Sequence, residues 1–105
     1  MKQLYFVLFL FLSLSSLAQR NQTIKGTVVD AETKQPLVGA TVFVETPEIV
    51  GASVDVNGKF KIENVAVGRL EVKATYIGYE PWSSGLITIT SGKEFVLQIA
   101  LEENV

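Results

Sequence analysis

The 105-residue sequence contains no histidine and no cysteine. Without them the chain cannot form a Ser-His-Asp triad, a Cys-His pair or a zinc site of histidine or cysteine ligands. Paired carboxylates remain available for glycoside cleavage, but most acidic residues fall at outward positions of alternating segments or in turns, where solvated side chains are expected. The sequence therefore predicts no catalytic residues, no metal ligands and no cofactor.

An excess of positive charge is also missing. Nine basic and 11 acidic residues give a formal net charge of −2. No basic patch is available to neutralise a phosphate backbone, which argues against nucleic-acid binding. The chain also has no G-x-G-x-x-G or Walker-type loop for a nucleotide.

One long apolar run stands at the N-terminus, at residues 4–14. It follows Lys2 and is followed by Ser16 and Ala18, which occupy the −3 and −1 places of a cleavage site. This order is typical of a secretory signal peptide, and the run is shorter than the roughly 20 residues of a membrane-spanning helix. We predict a signal peptide at 1–18. An exported chain without cysteine has no disulfides, so sheet packing alone must hold its fold.

The rest of the sequence alternates apolar and polar residues with period two, and no segment keeps helical spacing. The alternating segments are residues 23–30, 40–45, 59–63, 69–77, 86–90 and 94–102, with further strand character at 53–56. Turn-forming residues separate them, as in a β-sandwich whose sheets bury one face each. We predict an all-β, seven-stranded sandwich over 23–103, after a polar entry segment at 19–22.

The stretch "SVDVNGKFKI" permits two interpretations. Asp55, Asn57 and Gly58 could begin a calcium loop, or they could form a hairpin turn between two strands. Lys59 would occupy the fifth position of a calcium loop and Ala66 the twelfth, where oxygen ligands are needed. Asn-Gly is a strong hairpin signal because a type I′ turn needs positive φ at both central residues. We predict a structural hairpin turn without a metal.

The stretch "YIGYEPW" is the one candidate for a contact surface. Aromatic rings such as Tyr79 and Trp82 can stack on sugars or anchor a peptide. The alternative is structural: Tyr76 belongs to the core and the other two rings cover a sheet edge beside Pro81.

Three blocks of the sequence resemble the carboxypeptidase regulatory-like domain, a transthyretin-like seven-stranded sandwich. The first block, "GTVVDAETKQPLVGATVFVE", matches the family pattern at Gly26, Val28, Asp30, Pro36, Leu37, Gly39, Ala40, Val42 and Val44. The second matches at Asp55, Gly58 and Phe60, with Val54 where the family usually has threonine, and the third at Gly78 and Tyr79. The resemblance covers residues 23–103 and supplies no catalytic residue.

Physical roles follow for some of these positions. Asp30 is expected to accept backbone hydrogen bonds in the turn after it, as in Asx-turns. Phe60 is expected to be a core ring.

The resemblance implies an accessory domain, because such domains accompany zinc carboxypeptidases, TonB-dependent outer-membrane receptors and other exported proteins. A signal peptide followed at once by this domain is similar to the start of such a receptor. We therefore expect a periplasmic or outer-membrane location in a Gram-negative bacterium, with protein partners. No plug or barrel follows "LEENV", so a truncated or free-standing copy is expected. The alternative function is a free-standing module that binds a glycan or peptide.

Overall fold

The computed structural model describes residues 21–45 and 48–104. The predicted signal peptide and residues 19–20 lie outside the described residues. The described strands are β1 (Asn21–Asp30), β2 (Thr41–Val44), β3 (Val50–Ser53), β4 (Lys59–Ala66), β5 (Gly68–Thr75), β6 (Trp82–Ile89) and β7 (Phe95–Leu101). No helix in these ranges is long and apolar enough to cross a membrane.

The strands form two sheets, which confirms the predicted all-β sandwich. One sheet has the order β4-β1-β7 and the other the order β3-β2-β5-β6. Strand β1 lies between an antiparallel neighbour, β4, and a parallel neighbour, β7. The first and last strands of the domain therefore pair directly, from Ile24 beside Phe95 to Asp30 beside Leu101.

The core lies between the sheets and is built from the inward residues that alternation predicted. Ile24, Val28, Val42, Val44, Phe60, Ile62, Leu70, Val72, Ala74, Ile89, Ile99 and Leu101 are all buried. Their neighbours in sequence carry the lysines, glutamates and threonines of the solvent faces. Each strand thus has one apolar face against the opposite sheet, as the sandwich requires.

A β-bulge interrupts the alternation of buried and exposed residues within β4. Ile62 pairs with Ile24 but Val65 pairs with Gln22, so β4 contains one residue more than β1 here. Asn64 takes up the extra residue with a φ of 59°, a left-handed conformation that asparagine tolerates better than most residues. As a result Val65 faces inward and is buried although it breaks the period-two pattern.

Gly26 marks a close approach between the two parallel strands. A Cβ atom added at this position would stand 1.7 Å from the backbone oxygen of Leu97. No side chain fits at that distance, so glycine lets the backbones of β1 and β7 meet in the centre of their sheet.

Several element boundaries differ from the sequence expectation. Strand β6 begins at Trp82 rather than at residue 86, and β4 continues to Ala66 rather than ending at residue 63. Strand β3 occupies Val50–Ser53 rather than residues 53–56, because it pairs along β2 from Val44 back to Thr41. Strand β1 begins at Asn21, so the last two residues of the predicted polar entry segment already pair with β4.

Phe60→Ala is expected to lower the free energy of unfolding by about 3–5 kcal/mol, because it removes a buried ring and leaves a cavity. A domain of this size has a total stability of roughly 4–13 kcal/mol. Thermal denaturation followed by circular dichroism would therefore show a greatly lowered or absent cooperative transition. The matched control is Val56→Ala, an apolar truncation at a position that is 76% exposed. If both variants melted like the unmodified protein, the assignment of Phe60 to the core would be wrong.

Candidate functional site

The aromatic stretch folds into a tight turn at one end of the sandwich. The Tyr79 N–H donates to the Tyr76 oxygen at 3.1 Å, and Gly78 has a φ of 87°. A glycine with positive φ at the third position is the signature of a type II turn. The turn brings the Tyr76 and Tyr79 rings together edge to face, with centroids 5.5 Å apart.

Tyr79 is fixed by a hydrogen bond to the end of β1. Its hydroxyl donates to Asp30 Oδ2 at 2.6 Å, while Asp30 Oδ1 accepts from the N–H groups of Glu32 and Thr33 at 2.8 and 3.0 Å. Asp30 is only 7% exposed and is the one buried charged residue in the described part of the chain. The carboxylate therefore accepts the hydrogen bonds of the turn after β1, as expected. It also binds the aromatic turn through Tyr79, a contact that the sequence did not predict.

These contacts shift both titrations. The hydrogen bond from Tyr79 lowers the pKa of Asp30 below its ordinary value of 3.8, and the bonds from the Thr33 and Glu32 amides act in the same direction. The hydrogen bond to Asp30, with desolvation second, raises the pKa of Tyr79 to about 12. The ionised carboxylate and the neutral phenol are thus the stable pair at neutral pH.

Backbone hydrogen bonds tie the same turn to the end of β7. The Glu80 N–H donates to the Glu102 oxygen, and the Asn104 N–H donates to the Gly78 oxygen, both at 2.8 Å. The aromatic turn is therefore attached at two places, to β1 through a side chain and to β7 through the backbone.

Trp82 stands apart from the Tyr76–Tyr79 pair, at the first residue of β6 opposite Ala74. Its ring is half-buried and packs against the core, as Tyr79 does. The predicted contact surface of Tyr79 and Trp82 is thus not a flat pair of stacked rings. Its use in binding stays a prediction.

The turn at Asp55, Asn57 and Gly58 has a different form from the predicted hairpin. The Gly58 N–H donates to the Asp55 oxygen and the Asp55 N–H to the Lys59 oxygen, each at 2.9 Å. Gly58 has a φ of 79°, whereas Asn57 does not have a positive φ. This is a three-residue loop with glycine in the left-handed position, so the type I′ prediction was wrong.

The strands on either side of that loop also lie in different sheets, β3 in one and β4 in the other. The loop is therefore a crossing between the sheets, not a hairpin within one. Asp55 Oδ1 accepts from the N–H groups of Asn57 and Lys59 at 2.9 Å, and Gly58 packs under Pro36, which would contact an added Cβ at 2.7 Å. The described geometry accounts for these residues by local structure.

An open groove of about 620 Å³ is lined by residues of β1, β4 and β7, by Asp55, and by Ala52 and Ser53 of β3 in the other sheet. Its basic residues are Lys25, Lys59 and Lys61, and the sheet register places Lys25 directly opposite Lys61. The sequence showed these lysines only as outward-facing, because their proximity depends on β1 pairing with β4.

Acidic residues balance this groove. Glu94 lies 3.1 Å from Lys25 and Glu63 lies 3.3 Å from Lys61, and Asp55 lines the groove itself. Exposed pairs of this kind contribute little to stability, but they cancel the local charge. The groove therefore offers no strong attraction for an anion. In the described residues no group of three or more acidic, histidine or cysteine side chains is placed to hold a metal ion.

The family model for the carboxypeptidase regulatory-like domain matches residues 23–102 of this chain. The chain belongs to this family. Its Gly26-x-Val28-x-Asp30 and Gly78-Tyr79 motifs lie far apart in the sequence and meet in the Asp30–Tyr79 hydrogen bond. A search of the curated proteins gave no match.

Several solved structures resemble this regulatory-like domain. One is a chain of an interface mutant of the type II cohesin–X–dockerin complex from Acetivibrio cellulolyticus, with 26% identity, a TM-score of 0.65 and coverage of 78% of this chain and 58% of that one. Another is the minor pilin of Streptococcus agalactiae, with 18% identity, a TM-score of 0.58 and coverage of 82% and 46%.

A putative carbohydrate binding protein from Bacteroides uniformis has 14% identity, a TM-score of 0.58 and coverage of 76% and 40%. The pilin and this protein share the fold alone with the regulatory-like domain. The chain spans less than two thirds of each of these three structures.

Tyr79→Phe is expected to lower the melting temperature at pH 7, because Asp30 loses its hydroxyl partner. The raised pKa of Tyr79 means that its stabilisation is complete below about pH 10, the ordinary pKa of tyrosine, and is lost as the pH rises through about 12. The difference in melting temperature between the two proteins should therefore shrink from pH 10 to pH 12. Thermal melts across this range would measure it.

The lowered pKa of Asp30 makes stability depend on pH in the opposite direction. Its stabilisation is present above pH 3.8 and is lost as the pH falls towards the folded-state pKa.

The control for the alkaline experiment is Tyr76→Phe, which retains the hydrogen bond between Tyr79 and Asp30. Its melting temperature should fall between pH 10 and pH 12 as that of the unmodified protein does. A difference between Tyr79→Phe and the unmodified protein that stayed constant from pH 7 to pH 12 would contradict the role of the hydroxyl.

Proposed function

We propose that this chain is an exported, non-catalytic domain that works by contact with other proteins, as the N-terminal extension of a TonB-dependent outer-membrane receptor facing the periplasm. The predicted order of its parts supports this: a signal peptide at 1–18, a short segment at 19–22 and the sandwich at 23–103. The family match over residues 23–102 directly behind an apolar leader is the observation that carries the proposal.

The geometry of the polar residues supports a role in contact rather than chemistry. Every buried side-chain nitrogen and oxygen in the described residues has a hydrogen-bond partner. Asp30 and Tyr79, the two residues whose pKa values are shifted, form a hydrogen bond that joins a turn to a strand. What the sandwich offers to other molecules is its strand edges, and an exposed edge can accept a further strand from a partner. The likeness to a chain of a cohesin–X–dockerin complex agrees with such a role.

The proposal is tested by fractionating native cells and blotting them with an antibody raised against residues 19–105. We expect a band with the size of a large receptor in the outer-membrane fraction. The antibody should be pre-absorbed with the purified chain as a control for its specificity. A single small band in the soluble periplasm would contradict the receptor context and favour a free-standing domain.

The second candidate is a free-standing module that binds a carbohydrate or peptide. One support is Trp82, whose half-buried ring stands on edge strand β6. The other is that the domain shares its fold with a putative carbohydrate binding protein. Trp82 is the only tryptophan in the sequence, so fluorescence reports on this position alone. If the second candidate holds, titration with its glycan or peptide shifts the emission. An unchanged spectrum across a panel of glycans and short peptides would remove this candidate.

A further inference from the structure

The four strand edges in the described residues are not equally protected. Edge β3 has only four residues, edge β4 is bent by the bulge at Asn64 and carries exposed lysines, and edge β6 changes register beside Gly85. Short length, charge and bulges are the usual ways in which a sheet prevents an edge from pairing with another chain.

Edge β7 has none of these features. Its pairing with β1 runs without a break from Phe95 to Leu101, and "FVLQIAL" contains no charge, proline or glycine. Val96 is 59% exposed on its outer face. A long, regular and apolar edge of this kind is a template for a further strand.

The backbone groups of this edge that bond to no described residue can be identified. Backbone groups of successive residues in a strand point to opposite sides. Ala31 N–H donates to the Leu101 oxygen on the β1 side, whereas Glu80 N–H donates to the Glu102 oxygen on the other side. The odd-numbered residues of β7 therefore face β1. The N–H and C=O groups of Val96, Gln98 and Ala100 face outward, away from the sheet.

The inward side chains along this side of the sandwich are incompletely covered. Phe95 and Leu97 on β7, and Ile87 on the facing edge strand β6, are only partly buried although they pack against the core. An added strand beside β7 would cover this apolar surface as well as pair the free backbone groups.

We propose that the occupant of this edge is a second copy of the same chain, paired antiparallel to β7 about a two-fold axis at Gln98. The free stretch is symmetric about that residue. It runs from Phe95 to Leu101, because the segment that pairs through Glu80 covers the edge from Glu102 onward. An axis at Gln98 pairs Val96 with Ala100 of the second copy, and so uses every outward backbone group.

The side chains match across the same axis. Residues that stand opposite each other in an antiparallel pair share a face. Leu97 meets Ile99 of the second copy on the apolar inner face, and Gln98 meets its own counterpart on the outer face.

The charges at the two ends of β7 are complementary under this symmetry. Lys93, before the strand, makes no ion pair with a described residue, and the two-fold axis places it at the end where the second copy has Glu102 and Glu103. Opposite charge at opposite ends favours the antiparallel arrangement. This inference deepens the proposed function, since it names the edge and the partner through which protein contact occurs.

The test is sedimentation of the full chain, as processed and purified from its host, at concentrations from about 1 μM to about 1 mM, which span weak to moderate affinities. We expect a monomer–dimer equilibrium. Gln98→Lys and Gln98→Glu each place like charges opposite each other on the axis. Each variant alone should dimerise roughly tenfold or more weakly. An equimolar mixture of the two should dimerise again, because lysine then faces glutamate.

Thr88→Lys and Thr88→Glu are the matched controls, since Thr88 is exposed on β6. They should leave the dimer unchanged, and thermal melts should show that all four variants fold. A monomer at every concentration would overturn the proposal. A dimer whose affinity is unchanged by both substitutions at Gln98 would overturn it as well. Neither result bears on the receptor context, which the cell fractionation tests separately.

Discussion

The carboxylate of Asp30 is the interaction on which the rest of the domain depends. One oxygen closes the turn that leaves the central strand β1, and the other holds the hydroxyl of Tyr79 at 2.6 Å. Because the Tyr79 turn is bonded in its backbone to the end of β7, a single buried charge connects three separate parts of the chain. Burial of an unpaired charge is unfavourable, so the carboxylate favours the state in which both the turn after β1 and the Tyr79 hydroxyl are in place. The end of the sandwich therefore forms as one unit.

Much of the fold could be predicted from the sequence because period-two alternation directly reports which side of a strand is buried. Phe60, Ile62, Val72 and Ile99 were all assigned to the inner face, and all are buried. Val65 could not be assigned in this way, since the bulge at Asn64 shifts the pattern by one residue. The role of Asp30 as acceptor for the following turn was also predictable, because an Asx-turn is local.

The remaining features depend on pairings between distant residues. Asn57-Gly58 favours a hairpin locally, but the sandwich needs the strands on either side of it in different sheets, and tertiary packing decides the turn. Likewise nothing near Tyr79 in the sequence indicates that its hydroxyl meets Asp30. For the same reason the free edge of β7 became visible only when the order β4-β1-β7 was known, although the apolar sequence of that strand is plain.

The pairing of β1 with β7 also determines when the domain can fold. Ile24 and Phe95 stand side by side in the sheet, so β1 has only its antiparallel neighbour until nearly the whole domain has been made. Closing such a long loop costs chain entropy before any contact is gained, and sheets dominated by non-local pairs fold slowly. A chain that crosses a membrane as an extended polypeptide benefits from this delay. Under the proposed export, a domain whose last strand is still in the ribosome or the export channel lacks one of the two neighbours of its central strand.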